Sequence, residues 1–103
     1  MNPLQELQNW YLSQCDDIWE HSYGVSISTL DNPGWSLEID LAETSLKDIA
    51  FEERSYGVGE NSAPCDNNWL YCKVEKNKFL ACGGPEKLDE IIGIFLVWAK
   101  THV

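Results

Sequence analysis

The chain has 103 residues, 44% of them hydrophobic, with five Trp, four Tyr and three Phe. That length predicts one domain over residues 1–103, and that apolar content can fill a core without disulfide or metal staples. Its 17 Asp and Glu against 7 Lys and Arg leave a formal net charge of −10, which serves solubility but argues against nucleic acid or an anionic membrane as partners, because both are held through cations.

Such a field suits a basic protein partner and speeds its encounter. The N-terminus, Met1-Asn2-Pro3-Leu4-Gln5-Glu6, has neither the cationic start nor the apolar run of a signal peptide. The longest apolar stretch, Ile94 to Ala99, is too short to cross a bilayer. A cytoplasmic protein is the expectation, with Cys15, Cys65, Cys72 and Cys82 as free thiols in a reducing compartment. None of the four forms a CxxC pair, and their gaps match no zinc ribbon or finger.

The first predicted element is a helix over 3–15. Asn2 caps it, Pro3 suits its first position, and Gln5 is placed to close a capping box. Leu4, Leu7, Tyr11 and Cys15 share a stripe that Ile18 continues, flanked by Trp10. Asp16 and Asp17 oppose the helix dipole and end it.

Two half-buried strands follow, one alternating through Val25, Ile27 and Thr29, the other through Leu37, Ile39 and Leu41. Asp31-Asn32-Pro33-Gly34 is the turn between them. Both apolar sets share a face only if odd positions pair with odd, as Thr29 with Leu37. That requires an odd-length loop or a bulge near Trp35. Pairing Thr29 with Ser36 breaks this register.

A connector over 43–50 leads to a weak third strand over 51–56, and 57–68 reads as a long loop. Trp69–Glu75 and Lys78–Cys82 are strands joined by a two-residue Lys76-Asn77 turn, in which Lys76 is an imperfect occupant of a position needing positive φ. Val74 then pairs with Phe79 and Cys72 with Ala81. Leu70, Cys72, Val74, Phe79 and Ala81 take one face, and Trp69, Tyr71, Lys73, Glu75, Leu80 and Cys82 the other.

After Gly83-Gly84, Pro85 opens the last helix. Its stripe is Leu88, Ile91, Ile92, Phe95, Trp98 and Ala99, with Val97 exposed opposite and Lys100 and His102 at its end. The fold class is α+β: a four- to five-stranded antiparallel β-meander with an N-terminal and a C-terminal helix packed on one face and the other face open.

Three functional readings compete. Glu20 beside His21 is the one acid–base pair available to a small enzyme, although such clusters at a helix–strand junction are commonly polar caps. Cys72 and Cys82 are the candidates for a thiol or metal protein. Binding fares better: the open face carries Glu38, Asp40, Tyr71 and Glu75, with Trp69 beside them unless the 57–68 loop covers it, and Asp16, Asp17 and Glu20 form a second acidic group. Trp10, Trp19, Trp35 and Trp98 are assigned to core packing.

Several strings then converge. Trp10-Tyr11-Leu12-Ser13-Gln14-Cys15, Trp19-Glu20-His21-Ser22-Tyr23-Gly24, Thr29-Leu30-Asp31-Asn32-Pro33-Gly34-Trp35, Cys72-Lys73-Val74-Glu75, Lys78-Phe79, Gly83-Gly84-Pro85 and Ile94-Phe95-Leu96-Val97-Trp98-Ala99 resemble the immunity protein 53 family, over roughly residues 4–99. The resemblance implies a non-enzymatic protein of a bacterial polymorphic toxin system, which protects the producing cell by binding a cognate toxin. It supplies no site residues to carry over. With the −10 charge, the expected toxin is basic, for example a nuclease. No cofactor is expected, and the protein is expected to be a monomer or weak dimer.

Overall fold

The computed structural model describes residues 2–31, 33–56 and 68–101. Asn32, His102, Cys65 and nearly all of the 57–68 loop lie outside the described residues. Helix α1 (Pro3–Gln14) leads through a 3-10 turn (Trp19–His21) into strands β1 (Val25–Leu30) and β2 (Gly34–Asp40). Then come β3 (Arg54–Tyr56), β4 (Leu70–Glu75), β5 (Lys78–Gly83) and helix α2 (Leu88–Thr101). The α+β class is as expected, with one five-stranded antiparallel sheet in the order β1-β2-β5-β4-β3. The meander comes in two pieces, a β1–β2 hairpin and a β3–β4–β5 unit, laid side by side through β2 and β5.

Local chemistry accounts for most element ends. Asn2 Oδ1 accepts the Gln5 N–H at 2.8 Å, and Gln5 Oε1 accepts the Asn2 N–H at 3.5 Å, so the capping box forms. In the first hairpin Val25 faces Ile39, Ile27 faces Leu37 and Thr29 faces Trp35. The predicted parity holds. The register is shifted by two residues from a Thr29–Leu37 pair, which leaves every side chain on its expected face. The β4–β5 pairs are those expected, Val74 with Phe79 and Cys72 with Ala81. Lys76 and Asn77 both have positive φ, 52° and 59°, as a tight hairpin turn demands.

The core lies between one sheet face and the helices. Leu37, Ile39, Leu70, Cys72, Phe79 and Ala81 meet Ile91, Ile92, Phe95, Trp98 and Ala99 of α2. Phe79 touches Phe95 and Phe51 at ring separations of 5.2 and 5.3 Å. The tryptophans pack as expected and also tie connections to the body. Trp19 Nε1 donates to Ala42 O, Trp35 Nε1 to Pro85 O and Trp98 Nε1 to Ala50 O, each at 2.9 Å. Through Leu46, Phe51 and the Trp98–Ala50 bond, the 41–53 connection is pinned to the core while it crosses to the far edge of the sheet.

Three expectations are corrected. The buried seam of α1 is Leu7 with Trp10, while Leu4, Tyr11 and Ile18 are exposed. Trp10 packs edge-on against Phe95 at 5.0 Å, and Glu6 pairs with Lys100, so α1 leans on α2 and its stripe is turned away from the sheet. Helix α2 begins at Leu88 rather than at Pro85. Lys87 N–H bonds back to Gly84 O, closing a turn across Pro85-Glu86 first. The third strand is confined to 54–56, because Phe51 leaves the ladder to enter the core.

Candidate partner-binding site

On the sheet face away from the helices, three rows of side chains cross β2, β5 and β4. They are Asp40-Lys78-Glu75, Glu38-Leu80-Lys73 and Ser36-Cys82-Tyr71. Among the described residues, no helix covers them. Lys78 Nζ bonds Glu38 Oε1 at 2.8 Å and lies 3.8 Å from Asp40 Oδ1. The Glu38 bond, and then the two negative charges, hold the Lys78 ammonium above the usual lysine range. Lys73 Nζ lies 3.4 Å from Glu75 Oε2 and 5.9 Å from the centre of the Tyr71 ring.

The structure therefore brings Glu38 and Asp40 together around one lysine, and Tyr71 and Glu75 around another. Sequence reasoning placed the four on one face, with Lys73 among them, but named neither Lys73 nor Lys78 as part of the site. Lys73 lies within the Tyr71–Glu75 alternation and follows from parity, whereas Lys78 stands opposite Asp40 only because β5 pairs with β2. Trp69 is half-buried and reaches over β2, its Cζ2 lying 3.2 Å from where a side chain on Gly34 would begin.

Asp40 also braces the sheet edge. Its Oδ2 accepts the Gly24 N–H at 3.0 Å, tying the start of β1 to β2.

The second acidic group is built into the backbone. Asp16 Oδ1 accepts the N–H groups of Ile18 and Trp19 at 3.0 and 2.9 Å. Glu20 Oε1 and Oε2 accept those of Asp16 and Asp17, both at 2.9 Å. Bonds from the Trp19 and then the Ile18 N–H hold the Asp16 carboxyl below its ordinary value; backbone N–H groups do the same for Glu20, its own first. Asp17 takes φ 73° and stays exposed. The turn thus presents carboxylates, two of them held by backbone dipoles, with no ion pair to a Lys or Arg among the described residues.

This geometry bears on the other two readings. Both Glu20 oxygens are committed to backbone donors, and His21 is exposed beside them. Cys72 faces the core, and burial pushes its thiol up to about 12. Cys82 pairs with Tyr71 and faces the opposite way, so the two thiols cannot hold one metal ion. Among the described residues no cluster of metal-ligating side chains forms, and no helix is long and apolar enough to cross a membrane.

A family model described as Immunity protein 53 matches residues 4–100. The chain belongs to that family. Membership carries an immunity function, the role of an inhibitor that binds a toxin partner. No curated protein and no solved structure matches the chain.

Proposed function

We propose that this immunity protein neutralises a basic toxin of a bacterial polymorphic toxin system by stoichiometric binding, as a single 103-residue domain in the producing cell's cytoplasm. The observation that carries the partner's charge is the distribution of the −10. The first Lys or Arg of the chain is Lys47, so among Asp, Glu, Lys and Arg α1, the acidic turn, β1 and β2 contribute only carboxylates. A nuclease, whose substrate site must attract a polyanion, presents the complementary field.

Glu38, Asp40, Tyr71 and Glu75 form the first contact surface in this reading, with Asp16, Asp17 and Glu20 as the second. Recognition exchanges Lys78 and Lys73 for cations of the toxin, while Tyr71 supplies aromatic area. The protein acts as a monomer, because net charge of one sign opposes self-association.

Co-expression with the toxin encoded by the adjacent gene tests the reading through rescue of growth. Glu38→Lys with Glu75→Lys should weaken rescue while the circular dichroism spectrum is kept. Asp40 is left alone because it also holds Gly24. Absence of rescue by the unaltered protein overturns the proposal. Full rescue by the folded double variant removes the open face from the interface.

A further inference from the structure

The two edges of the sheet are unlike. β3 is three residues long, begins with Arg54 and follows Glu52 and Glu53, and such brevity and charge discourage strand pairing. β1 is six residues, Val-Ser-Ile-Ser-Thr-Leu, with no charge and no proline, and residues 26–29 are exposed. Gly24 O accepts the Asp40 N–H, so even-numbered positions turn their backbone groups toward β2. Antiparallel alternation then directs the N–H and C=O of Val25, Ile27 and Thr29 outward. A row of this kind is a template for one more strand.

A groove of about 370 Å³ runs beside this edge, between α1 and β1, walled by Leu4, Leu7, Tyr11 and Val25. It exists because α1 leans on α2 and turns Leu4 and Tyr11 outward. Val25 and Ile27 project to the helix side, so alternate side chains of an added strand would lie along the groove. The surrounding charge is of one sign. Asp16, Asp17 and Glu20 precede β1 and Asp31 follows it, with no cation paired to any of them among the described residues. On the open face Ser26 is paired with Glu38, so an added strand runs about 10 Å from Glu38, two strand spacings, within reach of Lys or Arg.

We infer that β1 receives an extended segment of the toxin as a sixth strand, basic on the open-face side and apolar toward the α1 groove. The inference rests on the toxin-binding reading and assigns its main contact to an edge lying between the two acidic groups. A second copy of this chain is the poorer occupant. Two-fold antiparallel pairing of β1 with itself brings the acidic turn of one copy toward Asp31 of the other.

Amide hydrogen exchange on the protein alone and in complex with the adjacent gene's toxin tests this. The amides of Val25, Ile27 and Thr29 should slow by about 100-fold or more in the complex. Ile27→Pro removes one outward N–H and leaves the β1–β2 ladder intact, so it should weaken binding about 30-fold or more. Ile27→Lys should do the same without altering the backbone, while Ser55→Ala on β3, at the opposite edge, should bind as the unaltered protein does. A complex in which these three amides exchange as in the free protein overturns the inference and leaves toxin binding standing. So does normal binding by folded Ile27→Lys. Concentration-dependent slowing in the free protein, with a dimer in sedimentation, assigns the edge to self-pairing instead. If no complex forms at all, the toxin-binding reading fails, and this one with it.

Discussion

Gly34 is a residue whose smallness is required by its neighbours. A Cβ there would stand 2.4 Å from Gly83 O and 3.2 Å from Trp69 Cζ2, whereas one on Gly24 would meet nothing within 4 Å. Gly34→Ala should therefore destabilise by roughly 1–3 kcal/mol in urea unfolding, and Gly24→Ala by under about 0.5 kcal/mol. Equal effects would mean that the β2–β5 approach is looser than described. Asp16 and Glu20 make a second residue-scale case. Their folded pKa values lie below the ordinary 3.8 and 4.5, so the stability they contribute is present above that range. It is lost as pH falls through the folded values. Asp16→Asn with Glu20→Gln should flatten the fall in melting temperature between about pH 5 and 3. An unchanged slope would place acid sensitivity elsewhere.

At the scale of elements, pattern and packing disagree in instructive places. The β4–β5 hairpin follows its local chemistry, at the cost of placing Lys76 in the left-handed region at φ 52°. Lys76→Asn should stabilise the protein by roughly 0.5–1 kcal/mol, measured by thermal unfolding; a loss would show that the Lys76 side chain contributes more than its backbone costs. Helix α1 departs from its pattern. Its periodicity admits Leu4-Leu7-Tyr11 or Leu7-Trp10 as the inner stripe, and an isolated helix does not decide between them. Phe95 decides, because it meets Trp10 edge-on at a ring separation of 5.0 Å. That rotation leaves the apolar wall beside β1 that a sixth strand would meet.

For the whole molecule the decisive property is where the charge lies. Seven cations fall at or after Lys47, and the fold turns this order along the chain into a spatial gradient, because β1 and β2 stand together at one side of the sheet. Among the described residues, Lys78 tempers it at Glu38 and Asp40, and Lys100 at Glu6. Association with the toxin should be electrostatically steered. Its rate constant should fall about tenfold or more between roughly 20 and 500 mM salt, measured by stopped-flow fluorescence of the tryptophans. A flat salt dependence would mean that the gradient does not guide encounter.

The sequence by itself determined the elements, the β4–β5 register, the parity of the first hairpin, the sorting of side chains between sheet faces, and the family. These rest on period-2 and period-3.6 patterns, turn chemistry and short strings, all local along the chain. Strand order, the rotation of α1 and the pairing of Lys78 with Glu38 and Asp40 were decided only in three dimensions. Each depends on contacts between segments far apart in sequence, such as Trp98 with Ala50 or Trp10 with Phe95, whose energies no local pattern carries. The same division applies to the proposed binding surface. Its acidic residues could be named in advance. That β1 is an open edge beside an apolar groove became visible only once β5, and not β3, had taken the place beside β2.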